Sequence, residues 1–401
     1  MLNVFNKKTK FQNYNFYISI VYIFWLTSII LFFLFSEYVK AGSLENGVKL
    51  GNDSYWYLRE VASIIEGNSS ITDYKSKFGY IFFLLPFVYF DIPLIFIVFI
   101  QILLTGFSAW CLYKITSKYF CKLSGIICIA LFLFYFPLQI RNFYILTEML
   151  FIDLTIILTY LLVFYKRSYF PSICLLVCAL ISIRPNGILY LFSILICSFI
   201  FFIKYKKYVY LSGYLLILFI ALIPIINLLN SYMADLDLIG SITTKGIIWG
   251  WSFEYNRICE NDGSCLSFEF VNNNYQNNIL GVLQFIYANI LNFFSVFLLK
   301  IFWLLARIRP YYSDLHNSYI LIFNLIIYPG FIYGFIKRPK NEFSLNVIIF
   351  FILLSLLLVG LSFADWSGRF SLYFLPLIMI FTSYGALIFG RKVLKFTKED
   401  N

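Results

Sequence analysis

Two acids and a handful of cations stand out in a chain otherwise suited to lipid. Asp53 heads the stretch Gly51 to Gly67, GNDSYWYLREVASIIEG, and Glu148 lies in RNFYILTEMLFIDL. Lys77, Arg141, Arg184 and Arg369 each stand at the edge of an apolar run. A carboxylate so placed can take a proton from a hydroxyl. Cations at headgroup depth can hold a phosphate. Ionic groups in or beside spans are costly, which makes them functional candidates by default. Each also has a plainer reading. Asn52 or Asp53 would cap a helix. Glu148 would pair with Arg141, about two helical turns earlier. Lys77 would snorkel to the interface, Arg184 would anchor a span, and Asp365 would pair with Arg369.

Composition sets the frame for these groups. The 401 residues are 61% hydrophobic and 13% charged, far from a soluble globular domain. Apolar runs of about 20 residues recur from end to end, so the expected fold class is all-α, a polytopic membrane protein. A net charge of +11 is no nucleic-acid footprint here, because Lys and Arg gather in short clusters between runs. One histidine, His316, disfavours His-pair catalysis, His-rich metal sites and haem. Most cysteines sit in or beside apolar runs as small hydrophobes. Cys259 and Cys265 instead flank ENDGS in a polar stretch, whose glycine allows the turn of a short disulfide on an oxidising face; free thiols are the equal alternative.

The basic clusters at Lys7–Lys10, Lys114–Lys122, Lys166–Arg167, Lys204–Lys207, Lys337–Lys340 and Arg391–Lys398 orient the chain, with both termini cytoplasmic. That assignment makes 37–77 and 231–285 outer loops. It reads Phe78–Phe90 as a juxtamembrane helix before a full span from Leu94 to Tyr113, because Pro86, Asp91 and Pro93 interrupt the run. It makes 286–305 an in-plane interfacial helix. About ten crossings remain, in one integral membrane domain over 1–401. The run 169–183 is short for a span unless Arg184 snorkels. In the first outer loop, Leu58, Val61, Ala62 and Ile65 recur at helical spacing, which predicts a surface helix stopped by Gly67.

Taken in order, several motifs resemble one family. They are Asp53-x-x-x-Tyr57 in the first outer loop, Lys77 before a juxtamembrane helix, and Glu148 opening a later span. Arg184-Pro-Asn-Gly187, Phe302-Trp303, Arg309-Pro310 and Arg369-Phe370 with Pro376 follow. The chain resembles the GT-C glycosyltransferases that use polyprenyl-phosphate sugars, the class of the protein O-mannosyltransferases and the lipid A aminoarabinose transferase. The resemblance implies a GT-C-like bundle and an inverting sugar transfer on the outer face, from a polyprenyl-phosphate-linked donor to a glycan or lipid acceptor. It implies Asp53 as base, Glu148 as second acid and Lys77 on the lipid phosphate. Arg184 and Arg369, with Tyr57 and Arg141, would be substrate contacts. Many relatives carry a second acid directly after the first, whereas Ser54 follows Asp53 here, which leaves a divalent metal open as a cofactor. An O-antigen-type polymerase or a lipid-linked glycan flippase are the rival expectations.

Overall fold

The computed structural model describes residues 2–35, 48–67, 77–213, 275–309, 312–362 and 368–399. It adds strand fragments at 43–44, 248–249, 257–259, 265–267 and 364–365, and positions 215, 230, 239, 270 and 271. The fold is almost entirely helical. Five helices are long and apolar enough to cross a membrane, or seven if each of two bent pairs counts as one span. This makes the chain a multi-pass membrane protein of the all-α class. Ten crossings are not reached among the described residues, and most of the run 208–230 lies outside them.

In chain order the elements are α1 (Leu2–Phe35), β1 (Ser43–Leu44), β2 (Val48–Lys49), α2 (Asn52–Ile65), α3 (Phe78–Tyr89), α4 (Ile95–Tyr119) and α5 (Lys122–Leu133). Next come α6 (Phe136–Gln139), a 3-10 turn (Ile140–Phe143), α7 (Thr147–Val163), α8 (Phe170–Ile183), α9 (Gly187–Lys204), β3 (Ile248–Trp249), β4 (Arg257–Cys259) and β5 (Cys265–Ser267). The chain closes with α10 (Ile279–Ala288), α11 (Ile290–Ala306), α12 (Asp314–Ile336), α13 (Phe343–Leu361), β6 (Ala364–Asp365), α14 (Arg369–Leu372) and α15 (Leu375–Glu399). The break expected at Asp91 and Pro93 is present. Asp91 takes the left-handed conformation at φ 51°, and the long span α4 begins just beyond Pro93.

The chain forms two compact units. The first comprises residues 1–191, 325–344 and 372–401. Small residues set its close approaches. A Cβ on Gly125 would lie 2.4 Å from Ser117 Oγ, so α5 folds back tightly on α4. Gly330 and Gly334 of α12 meet Gly385 of α15 with backbones in contact, where a Cβ on Gly385 would lie 1.9 Å from the Gly330 oxygen. Small residues one turn apart are a common way to pack helices in lipid, where no hydrophobic gain separates helix from solvent.

The second unit comprises 192–324 and 345–371. Instead of one helix over 286–305, α10 and α11 meet at 105°, the geometry of a broken span or a re-entrant loop. The corner is Asn289. Its Oδ1 accepts from Val271 N at 2.7 Å, and its Nδ2 donates to the carbonyls of Val271 and Phe285. An amide at a corner satisfies backbone groups that the interrupted helix would otherwise leave bare. Val282, Phe285 and Phe293 pack with Ile239 around that corner. Lys300, fully buried, donates to the Ser362 carbonyl at 2.6 Å. Arg309 closes the C-terminal end of α11 by donating to the carbonyls of Trp303 and Ile308.

Candidate functional site

Ser54 closes the head of α2, while the Asn52 side chain lies outside the described residues. Gly51 is the N-cap. Its N–H donates to Ser54 Oγ at 2.9 Å, while Ser54 N–H donates to the Gly51 carbonyl at 2.9 Å. A hydroxyl one turn inside the helix thus does the reciprocal capping. Asp53 lies in the first turn, where the helix dipole favours a negative charge. Asp53 is half-buried. One turn on, Tyr57 is 1% exposed, and Val61 is fully buried. Residues four apart share a helix face, so Asp53 stands on the packed side of α2. That face is rotated by one position from the expected one: Leu58 and Ala62 are half-buried and Ile65 is exposed. Gly67, at φ 78°, ends the helix as its position predicts.

The start of α2 is tied to the start of α7. Ile145 N donates to the Lys49 carbonyl at 3.2 Å. A Cβ on Gly51 would touch Leu146 Cδ1 at 4.0 Å, and Leu146 is the N-cap of α7. The caps of the two helices therefore touch, and each helix carries its acid two residues later: Asp53 on α2, Glu148 on α7. Tyr144, between them, has Lys49 Nζ at 5.8 Å and the Arg141 guanidinium at 5.4 Å from its ring.

Glu148 pairs with Arg184, not with Arg141. Arg184 Nη1 lies 3.2 Å from Glu148 Oε1, and the two side chains are 9% and 1% exposed. Arg184 is thus no snorkelling anchor. It is held at the end of α8 by the turn Arg184-Pro-Asn-Gly187, closed by Gly187 N donating to the Arg184 carbonyl at 2.9 Å. Its guanidinium also lies 4.6 Å from the centre of the Tyr373 ring. The neighbouring helix α3 reaches the same place because Gly79 lets it touch α8. A Cβ there would fall 2.1 Å from Ser182 Oγ.

Lys77, the N-cap residue of α3, places its Nζ 5.4 Å from the Tyr57 ring. Tyr57 and Tyr80 meet edge to face at 5.2 Å. Tyr80 is fully buried, and its hydroxyl finds no hydrogen-bond partner among the described residues. Glu148 is near that hydroxyl. Tyr80 and Tyr373 are the members that sequence reasoning missed. The one signal was spacing: Tyr80 follows Lys77 by about one helical turn.

Within the first unit the structure thus gathers Tyr57, Lys77, Glu148 and Arg184, with Asp53 on the same helix face as Tyr57 and Arg141 on the adjoining turn. Arg369 is the first residue of α14, half-buried, and belongs to the second unit. Cys259 and Cys265 stand directly opposite each other in the β4–β5 hairpin, with their sulfurs outside the described residues. The Asp365 side chain lies outside them as well. No group of three or more His, Cys, Asp or Glu side chains converges among the described residues. The chain matches no protein-family model, no curated protein and no solved structure.

Proposed function

We propose that this protein is a membrane glycosyltransferase that moves a sugar from a polyprenyl-phosphate carrier to a hydroxyl of a glycan or lipid acceptor at the outer face of a bacterial plasma membrane. The observation that carries the reading is the meeting of two helix heads, each with an acid in its first turn, beside a buried Arg184 and a Lys77 held over Tyr57. Helix N-termini and cations together favour an anion such as a phosphate. The half-buried carboxylate beside them suits a general base.

The step is a single displacement. Asp53 takes the proton of the acceptor hydroxyl as that oxygen bonds to the anomeric carbon. The bond from the anomeric carbon to the phosphate oxygen breaks, its electron pair leaves with the lipid phosphate, and the configuration inverts. Lys77 and Arg184 hold the departing phosphate. Glu148, tied to Arg184, aims the guanidinium rather than taking a proton itself.

The test is Asp53→Asn in protein that still inserts and folds. Transfer from a synthetic polyprenyl-phosphate sugar should fall on the order of 10²- to 10⁴-fold, the usual contribution of a positioned base. Wild-type rates in that variant would remove Asp53 from the role. Transport of the same lipid across proteoliposomes without any transfer would favour a flippase.

A further inference from the structure

A second carboxyl sits on α7, and the transfer chemistry does not use it. Asp153 is fully buried. It ends a line of side-chain hydrogen bonds that starts at Trp25 on α1. Chemistry fixes the direction of each bond. The Trp25 indole N–H can only donate, and it donates to Gln139 Oε1 at 2.9 Å. Gln139 Nε2 faces the Phe132 carbonyl, which can only accept, at 2.9 Å. Gln139 therefore has one orientation.

Its Oε1 also receives Asn142 Nδ2 at 3.4 Å. Turning the Asn142 amide over would set two acceptor oxygens against each other there. Asn142 is thus oriented as well, with Oδ1 toward Thr105. Thr105 has one hydroxyl proton and gives it to Asn142 Oδ1 at 2.9 Å. The same oxygen of Thr105 lies 3.3 Å from Asp153 Oδ2. Its own proton is already committed, so Thr105 accepts in that contact, and the proton there belongs to Asp153. The Ser108 hydroxyl beside the carboxyl donates to the Asp153 backbone carbonyl at 3.4 Å. The other carboxyl oxygen, Oδ1, is buried with no hydrogen-bond partner among the described residues. That is bearable for the carbonyl of a neutral acid and costly for an ion.

We infer that Asp153 is a neutral, hydrogen-bond-donating carboxylic acid that fixes the 139–146 turn through Thr105, Asn142 and Gln139, and so acts as a positioning residue for the Glu148 end of the site. Gln101 holds the same turn from a second side, through the carbonyls of Asn142 at 3.3 Å and Tyr144 at 3.1 Å. The positioning role rests on the glycosyl-transfer reading; the protonation state does not.

Two measurements on the full chain in lipid nanodiscs test this. The first is the infrared difference between wild type and Asp153→Asn at neutral pH. A protonated-carboxyl C=O band, shifted in heavy water, should be present in wild type and missing in the variant. No such band at neutral pH means an ionised Asp153 and overturns the inference. The second is amide hydrogen exchange over residues 140–146. Asp153→Asn keeps one donor and one acceptor and should exchange as wild type does. Thr105→Val keeps the volume but breaks the line, and should exchange on the order of tenfold faster, the size of one lost buried hydrogen bond. Wild-type exchange in Thr105→Val would remove the positioning role. Neither measurement reads sugar transfer, so a failure here is distinct from a failure of the proposed activity.

Discussion

Helix α7 carries two buried carboxyls five residues apart, Glu148 and Asp153, and they live in opposite chemical settings. Glu148 meets a guanidinium at 3.2 Å and stands in the first turn of its helix, where charge is welcome. Asp153 meets a threonine hydroxyl in mid-helix, with only neutral polar groups in its hydrogen-bond line. Burial alone does not separate them, since both are at or near zero exposure. The partner does. An acid beside a cation can stay ionised and hold that cation for a substrate, while an acid among hydroxyls and amides becomes part of the scaffold.

That contrast can be broken from either side. Glu148→Gln or Arg184→Ala leaves a buried charge without its counter-charge and should cost about 3–5 kcal/mol of stability, read as thermal unfolding in detergent. The double variant should cost less than the two singles together, because both remove one interaction. If each single costs under about 0.5 kcal/mol, as ordinary surface changes do, the pair is not a buried ion pair. Gly79→Ala pushes α3 off α8 without touching either acid. Overpacking of that kind costs about 1–3 kcal/mol, and transfer should fall with it as Lys77 moves from Arg184. Ser54→Ala removes the reciprocal cap on α2, worth about 0.5–1.5 kcal/mol, and should weaken transfer through Asp53 more than it lowers the melting temperature. The smallest effect belongs to the scaffold acid: Asp153→Asn, which keeps a donor and an acceptor in place, should cost less stability than Glu148→Gln. A loss there as large as that of Glu148→Gln would erase the distinction.

Local signals in the chain predicted what local forces decide. Apolar run length foretold the long helices α4, α9, α12 and α13. Pro93 and Asp91 foretold the break before α4, and Gly67 the end of α2. Partners chosen across the fold were not legible. Arg141 was the natural mate for Glu148 because it is near in sequence. The true mate, Arg184, arrives from another helix through a glycine–serine contact that no periodicity announces. The corner at Asn289 was hidden for the same reason, since its amide is satisfied by Val271, which precedes α10. Capping took a subtler route: the sequence offered Asn52 and Asp53, while the backbone at Gly51 pairs with Ser54 one turn on.

The tether between Lys49 and Ile145 carries a practical consequence. It clamps the strand leading into α2 at a point downstream of Ser43, so extra residues grafted ahead of that point would leave Asp53 in register. The upstream connection can therefore change length without shifting the head of α2.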